Sequence, residues 1–440
     1  MSSLAPSPRG SLLTGHFREI RRDVLGLMLT GARDCGDIVR FRLGPLTMHL
    51  VNHPDPIAHV LIKNRENYDK DSRSSASLSL VCGESLLTAN GPAWQWRRRL
   101  IQPMFHHAAV AGFIDSMVSC TETMLDDWSE KCRRGETIEA ASEMMRLTYR
   151  VIGRCLFGAN LEAETLAVEE AMRTIVTYTY ARWRRILNWP TSWPVEENRQ
   201  FQNALKSVNA IIGRLIASHI FHPPETPNLL SMLIGGTDGE TGAPLTEEQV
   251  RHEAITFLLA GHETTANALS WTLHLLTQHP AEAEKIREET PSTTLTMSDL
   301  PKLTSTLHVF EESIRLYPPI WAMERHAIAA DTIGGYQIPA NSSVIISPYT
   351  LHRHPIFWEE PEEFRPSRFE KRDPPAYIPF GAGPRFCIGN EFALSEARVI
   401  LSMILRKFHI TAEPGQTIVP EPAITLRLKN GLRLQLRHRS

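Results

Sequence analysis

One thiol stands in a setting that can do chemistry. The stretch Phe380-Gly381-Ala382-Gly383-Pro384-Arg385-Phe386-Cys387-Ile388-Gly389 sets three glycines around a single cysteine. Glycines permit φ > 0 and a close backbone approach to a flat partner. An apolar helical pattern follows, Phe392-Ala393-Leu394 and then 397–404. The sulfur therefore sits just ahead of a helix start, where the partial positive charge of the N-terminus favours the thiolate. The plain reading of a lone cysteine is a small buried hydrophobe. A buried thiolate, by contrast, needs a cation or a metal beside it. Haem iron with a cysteine as proximal ligand satisfies all of these conditions, and such a thiolate pushes electron density toward O–O cleavage.

A second group lies inside a long apolar stretch. Thr246-Glu247-Glu248-Gln249 reads as a capping box, in which Thr takes one N–H and Gln reaches back. The helix it starts extends through Leu276 and is largely apolar from Ala254, so it runs through the core. Its polar interruption, His262-Glu263-Thr264-Thr265, is costly there and needs a reason. Thr264 shares a face with Phe257, Ala260, Gly261 and Ala268. Ala260 and Gly261 leave a groove for a bound diatomic, and Thr264 can donate back to the Ala260 carbonyl and bend the helix. Glu263 points about 100° away. An acid toward solvent beside an alcohol toward the cavity makes a proton relay; the bland reading is a core threonine next to a salt-bridged glutamate. Glu312 and Arg315, at i and i+3, can pair on one helix face, a pair that at a surface is worth little.

Taken together, these stretches resemble the cytochrome P-450 superfamily. The cysteine stretch matches Phe-x-x-Gly-x-Arg-x-Cys-x-Gly in full, and Ala260-Gly261-His262-Glu263-Thr264-Thr265 is similar to the family's Ala-Gly-x-acid-Thr-Thr. Glu312-x-x-Arg315 continues into Leu316-Tyr317-Pro318-Pro319, and Phe364-Arg365-Pro366-Ser367-Arg368-Phe369 resembles the family's Phe-x-Pro-x-Arg-Phe segment. Trp94 and Arg98 match Trp-x-x-x-Arg. The resemblance implies haem b (iron protoporphyrin IX) with Cys387 as the axial ligand of the iron. It implies that Thr264 hydrogen-bonds bound oxygen and that Glu263 helps deliver protons, with His262 a variable, non-catalytic position. It makes Glu312, Arg315 and Arg368 a buried ionic triad bracing the cysteine loop. Trp94, Arg98, Arg325 and Arg385 become partners of the haem propionates, with Ala260, Gly261, Phe380 and Gly389 as further cofactor contacts.

The activity so implied is a monooxygenase that inserts one atom of O2 into an apolar small molecule and reduces the other to water. No flavin or iron–sulfur segment is read in the chain, so electrons are expected from NAD(P)H through a separate ferredoxin or flavodoxin and its reductase. Arg97 and Arg99 are expected on a solvated basic face that helps dock an acidic donor. Family position places the substrate pocket along 74–87, 178–193, Phe257, Ala260, Ile320, Trp321, Ala322, and the turn at Ala423 and Ile424. The apolar lining suits a fatty acid, terpenoid, steroid or polyketide-like compound, and the phrasing of helices and loops leans toward the fatty-acid hydroxylase side of the family. Two rivals remain: a peroxygenase or isomerase of the same fold, and a haem-binding sensor or carrier. The intact acid–alcohol pair counts against both.

The elements that must position these groups read as mainly α with small β-sheets, an α+β chain forming one domain over 1–440 with a flexible segment at 1–15. Of the 440 residues, 42% are hydrophobic and 22% charged, as in ordinary globular proteins. The net charge of −2 gives no bias toward polyanions, so nucleic acid is not an expected partner. The six cysteines include no Cys-x-x-Cys pair, which argues against zinc and fits a cytoplasmic protein. No apolar run of about 20 residues offers a membrane span. A hairpin is expected at 37–51 and a loop at 71–90. Helices are expected at 94–105, 108–135, 142–157, 166–180, 197–219 and 300–316. A closing hairpin is expected to turn at Asn430-Gly431.

Overall fold

A capped, mostly apolar helix, Glu247–Gln278, forms the axis of the molecule. The structure is a computed structural model describing residues 3–161, 165–185, 187–371 and 376–439, without the side chains of 165 and 166. Thr246 Oγ1 accepts from the Gln249 N–H while Gln249 Oε1 accepts from the Thr246 N–H, which is the expected capping box. The helix is buried along most of its length, so it packs on several sides at once. At Gly261 an added Cβ would meet Ile152 Cδ1 at 2.6 Å. This glycine therefore lets helix Ala140–Phe157 come close. Thr148 Oγ1 on that helix donates to the His262 carbonyl at 3.0 Å. Helices Thr165–Arg184 and Glu196–Phe221 lie against each other, with Tyr178 stacked on Phe201. Helix Asn390–Lys407, which follows the cysteine loop, packs on Ile114–Arg133.

The sheets are small. Ile38–Leu43 and Leu46–Val51 form the expected hairpin around Gly44, whose φ is 57°. This pair continues through Ser343–Ile346 and Met323–Ala327 to Tyr68–Asp69. The whole is a mainly helical fold with small mixed sheets, as the sequence implies. Among the described residues, no helix is long and apolar enough to cross a membrane.

Four expectations need correction. The segment 1–15 is not loose where it is described: Ser3–Leu4 pairs in parallel with Tyr336–Ile338, Ala5 is buried, and the Arg40 N–H donates to the Pro6 carbonyl (residues 1 and 2 lie outside the described ones). The expected loop at 71–90 contains helix Arg73–Cys82, started by Ser72, whose hydroxyl accepts from the Ser75 N–H. Its serine-rich composition hid a cap and a partly exposed helix. The helix expected over 108–135 breaks at Gly112-Phe113 into His107–Ala111 and Ile114–Arg133. The closing hairpin does not form: Leu426–Leu428 pairs with Pro420–Pro422, and Arg433–His438 pairs with Phe408–Ala412 and Ile138–Glu139. Alternation sets which side chains share a face but not which strand they pair with.

A buried ionic cluster ties the helices to the cysteine loop. Arg315 Nε and Nη2 donate to the two oxygens of Glu312 at 2.6 and 2.9 Å, and Arg368 Nε donates to Glu312 Oε1 at 3.3 Å. Arg315 also donates to the carbonyls of His352, Pro361 and Glu363. His352 passes the connection on. Its Nε2 accepts from the Ile378 N–H at 2.9 Å, and its Nδ1 donates to the Arg315 carbonyl. Burial pushes this imidazole down to about 3, so it stays neutral in that tautomer. The Ile378 carbonyl in turn holds the Gly381 N–H at the start of the loop. Glu312→Ala strands two guanidinium groups, one of them fully buried, at an expected cost of about 3–5 kcal/mol. Urea denaturation should show that loss, and a wild-type midpoint would contradict the brace.

Candidate active site

The cysteine loop owes its shape to two of its three glycines. Gly381 and Gly383 have φ of 77° and 69°. A Cβ on Gly383 would also lie 2.4 Å from the Leu61 carbonyl oxygen, so backbone conformation and close approach both demand glycine there. Gly389 differs: its φ is −93°, and the nearest atom to an added Cβ is 3.9 Å away on Phe105. The Gly383–Arg385 turn and the Cys387 N–H donating to the Phe380 carbonyl at 2.9 Å set the sulfur just before helix Asn390–Lys407. Cys387 presents surface to a cavity, yet the protein around it desolvates the thiol and pushes it up. The Gly389 N–H and the Arg98 guanidinium act the other way, toward thiolate.

That cavity has a volume of about 780 Å³. The central helix contributes Phe257, Ala260, Gly261 and Thr264 to its wall, and the loop contributes Phe380, Arg385, Cys387 and Gly389. Ile320, Trp321, Ala322 and Ile424 line it as well. Of the stretch 74–87, Ser74, Ser75, Ser77, Leu78, Leu86 and Leu87 reach the wall. Of 178–193, Thr179, Tyr180, Trp183 and Arg184 do so, whereas Tyr178 stacks on Phe201, and Trp189 and Trp193 stack on each other at the exterior.

Thr264 Oγ1 donates to the Ala260 carbonyl at 2.6 Å, the back-bond expected for it. Glu263 departs from expectation. It does not face solvent: its carboxyl is buried on another side of the helix and accepts from Thr425 Oγ1 at 2.6 Å. Burial raises its pKa above the usual carboxylate range, while the Thr425 hydroxyl and the charge of Arg427 pull it back. His262 is buried too, with Nδ1 2.6 Å from the Leu258 carbonyl.

One side of the cavity is crowded with cations. Arg98 Nη1 donates to the Phe386 carbonyl, Arg325 Nη1 to the Glu324 carbonyl, and Arg385 Nη2 to the Ala89 carbonyl. The Arg385 guanidinium lies 4.3 Å from the ring centre of Trp94. Lys70, a residue absent from the sequence reading, joins them and donates to the Leu87 carbonyl at 2.6 Å. Burial and then mutual repulsion depress the group: Arg385 falls to about 10 through burial and the nearby Arg325, Arg325 to about 10 through burial, and Lys70 falls through burial, Arg325 and Arg385. Arg385 Nη1 is buried and has no hydrogen-bond partner among the described residues. Such a wall is short of anions, and carboxylates presented from the cavity would satisfy it. No spacing rule marks Lys70. It arrives because Tyr68–Asp69 pairs with Met323–Ala327, the strand that carries Arg325.

Arg97 is a further correction. It is buried, pairing with Glu253 at 3.1 Å, and so belongs to no docking face. Burial pushes Glu253 up to about 7. Arg99 is exposed.

Residues 6–434 match the family described as Cytochrome P450. The chain belongs to the cytochrome P450 family. It is 32% identical over 431 residues to Cyclooctatin synthase of Streptomyces melanosporofaciens, covering 96% of this chain and 93% of that protein. It is 32% identical over 422 residues to Cyclooctat-9-en-7-ol 5-monooxygenase of the same organism, covering 94% and 90%. It is 30% identical over 460 residues to Taurochenodeoxycholic 6 alpha-hydroxylase of Sus scrofa, covering 98% and 90%. This P450 is thus an oxygen-incorporating oxidoreductase of the haem-thiolate class. The family implies haem iron, and the residues present fit that group: a thiol opens onto the cavity, and a wall of cations with an unfilled donor awaits its carboxylates. Lys70→Met should therefore speed the transfer of haem from the holoprotein to excess apomyoglobin by about tenfold, the loss of one charge-assisted hydrogen bond. An unchanged transfer rate would mean that Lys70 serves only the Leu87 carbonyl.

Proposed function

We propose that this P450 hydroxylates a cyclic, apolar small molecule of terpenoid or steroid type, drawing electrons from NAD(P)H through a separate ferredoxin or flavodoxin and its reductase. The observation that carries the reading is one cavity whose wall holds both Cys387 and Thr264, with leucine, isoleucine and aromatic side chains between. The name of one Streptomyces relative, Cyclooctat-9-en-7-ol 5-monooxygenase, points to a cyclic alcohol as that enzyme's substrate, which favours a ring skeleton over a fatty acid here. All six cysteines are free, which supports a reducing, cytoplasmic setting.

In this reading, Cys387 would hold the haem iron through its sulfur, and the Gly389 N–H and Arg98 would steady the thiolate charge. Arg98, Arg325, Arg385 and Lys70 would hold the propionates, with Trp94 supporting Arg385. Haem, when bound, supplies the reduction of O2 and the transfer of one oxygen atom, the other leaving as water. Thr264 keeps a proton at Oγ1 on the cavity wall, parked on the Ala260 carbonyl. Glu263 carries the replacement proton on the far side of the helix. Phe257, Ile320, Trp321, Ala322 and Ile424 orient the substrate and keep bulk water out.

Cys387→Ala should abolish the red-shifted Soret band of the reduced CO complex; a retained band would name another ligand. Thr264→Ala should keep haem and the spectral response to a bound terpenoid alcohol, yet lower product per NAD(P)H consumed by about tenfold or more, with peroxide appearing instead. Fully coupled turnover in that variant, or equal turnover of the native protein with peroxide alone, would overturn the proposed relay.

A further inference from the structure

Glu263 is held by a residue outside the acid–alcohol motif. Glu263 and Asn267 lie one turn apart on the central helix, and both reach the same hydroxyl. Asn267 Nδ2 donates to Thr425 Oγ1 at 3.0 Å, and Thr425 Oγ1 donates to Glu263 Oε1 at 2.6 Å. With the asparagine amide occupying the oxygen's acceptor side, the single hydroxyl proton is directed at the carboxyl. All three side chains are buried. A threonine that merely fills a core spends its hydroxyl on its own backbone, as Thr272 does on the Ala268 carbonyl; Thr425 spends it on an acid.

The turn that carries Thr425 is tied down at several points. The Ala423 N–H donates to the Thr425 carbonyl, Trp321 Nε1 donates to the Ala423 carbonyl at 3.0 Å, and Trp271 Nε1 donates to the Leu426 carbonyl at 3.1 Å. The Leu426 N–H is bound to the Pro319 carbonyl. Ala423 and Ile424 of this same turn line the cavity. Substrate wall and acid clamp are thus consecutive residues of one rigid turn.

We propose that Thr425, oriented by Asn267, is a positioning residue for Glu263 in the oxygen reaction, fixing the carboxyl and stabilising the carboxylate that remains once its proton has been handed on. The proton goes from Glu263 toward the Thr264 side of the helix and is replaced from solvent; no electron or other group moves in this step. The inference rests on the relay reading given under Proposed function, and the test separates the two.

The test uses the haem-loaded full chain, NADPH, a ferredoxin and its reductase, with no organic substrate added. It measures the share of NADPH electrons recovered as hydrogen peroxide. Glu263→Gln should raise that share about threefold or more, Thr425→Val should raise it in the same direction by a similar factor, and Thr425→Ser should restore the native share. Asn267→Ala, which frees the hydroxyl to rotate, should give a smaller rise and serves if the valine variant does not take up haem. A second readout is the infrared carbonyl band of protonated Glu263, identified by its loss in Glu263→Gln. It should move to higher frequency in Thr425→Val or Asn267→Ala and return in Thr425→Ser. If Glu263→Gln leaves the peroxide share unchanged, the relay itself fails. If Glu263→Gln raises it while Thr425→Val and Asn267→Ala stay native in share and band, the relay stands and the clamp is overturned.

Discussion

The constraint on which this structure turns is the cost of leaving a charge buried without a partner. The fold handles it in two ways. Around Glu312 compensation is complete: two arginines, a backbone N–H and three carbonyls close the cluster, and the neutral His352 extends it to the cysteine loop. At the cavity wall compensation is left open. Lys70, Arg98, Arg325 and Arg385 outnumber the acids Asp71 and Glu324 that share the wall, and Arg385 Nη1 has no hydrogen-bond partner among the described residues. A closed cluster joined to the cysteine loop, together with a cation wall open to the cavity, suits a site that orders itself around a cofactor carrying carboxylates.

The central helix shows the same economy at the scale of single residues. Its polar interruption lies inside a core, where each group must find a partner. Every one does, and they turn to several different sides of the helix. His262 turns to the Leu258 carbonyl, Thr264 to the Ala260 carbonyl at the cavity, Glu263 and Asn267 to Thr425, and Thr265 to the Gly261 carbonyl. The consecutive residues thus separate by function because the helix rotates about 100° per residue. Gly261 has a double duty. It borders the cavity, and its missing Cβ admits Ile152 of the neighbouring helix. The groove beside it is therefore backed by a tightly packed helix pair.

What could be read from the sequence was whatever short-range spacing encodes. The cysteine loop, the capping box at Thr246, the hairpin turning at Gly44 and the Glu312–Arg315 pair all depend on residues a few positions apart, and each has its expected local geometry. The misses depend on long-range pairing. Lys70 enters the cation wall through a two-residue strand pairing with a segment more than 250 positions later. His352 and Thr425 act through partners on other elements. Arg97, in a run of three arginines, looks like surface and is instead buried against Glu253, while its neighbour Arg99 remains exposed. A basic run states composition; which of its members faces inward follows only from the helix packed beside it.

The placement of Glu263 changes how the motif should be understood physically. Spacing alone puts an acid next to an alcohol, and the simplest relay has the acid in water, free to exchange. Here the acid is dry, and burial makes its neutral form easier to keep than in solvent. A dry neutral acid is a better proton store than a solvated carboxylate, but it needs something to stabilise the anion left after the proton departs. Thr425 and the charge of Arg427 are placed to do that, since both pull the acidity of Glu263 back toward the ordinary range. The two influences oppose each other: burial favours the neutral carboxyl, and the Thr425 hydroxyl and the Arg427 charge favour the carboxylate, so the proposed donor keeps a partner in either form.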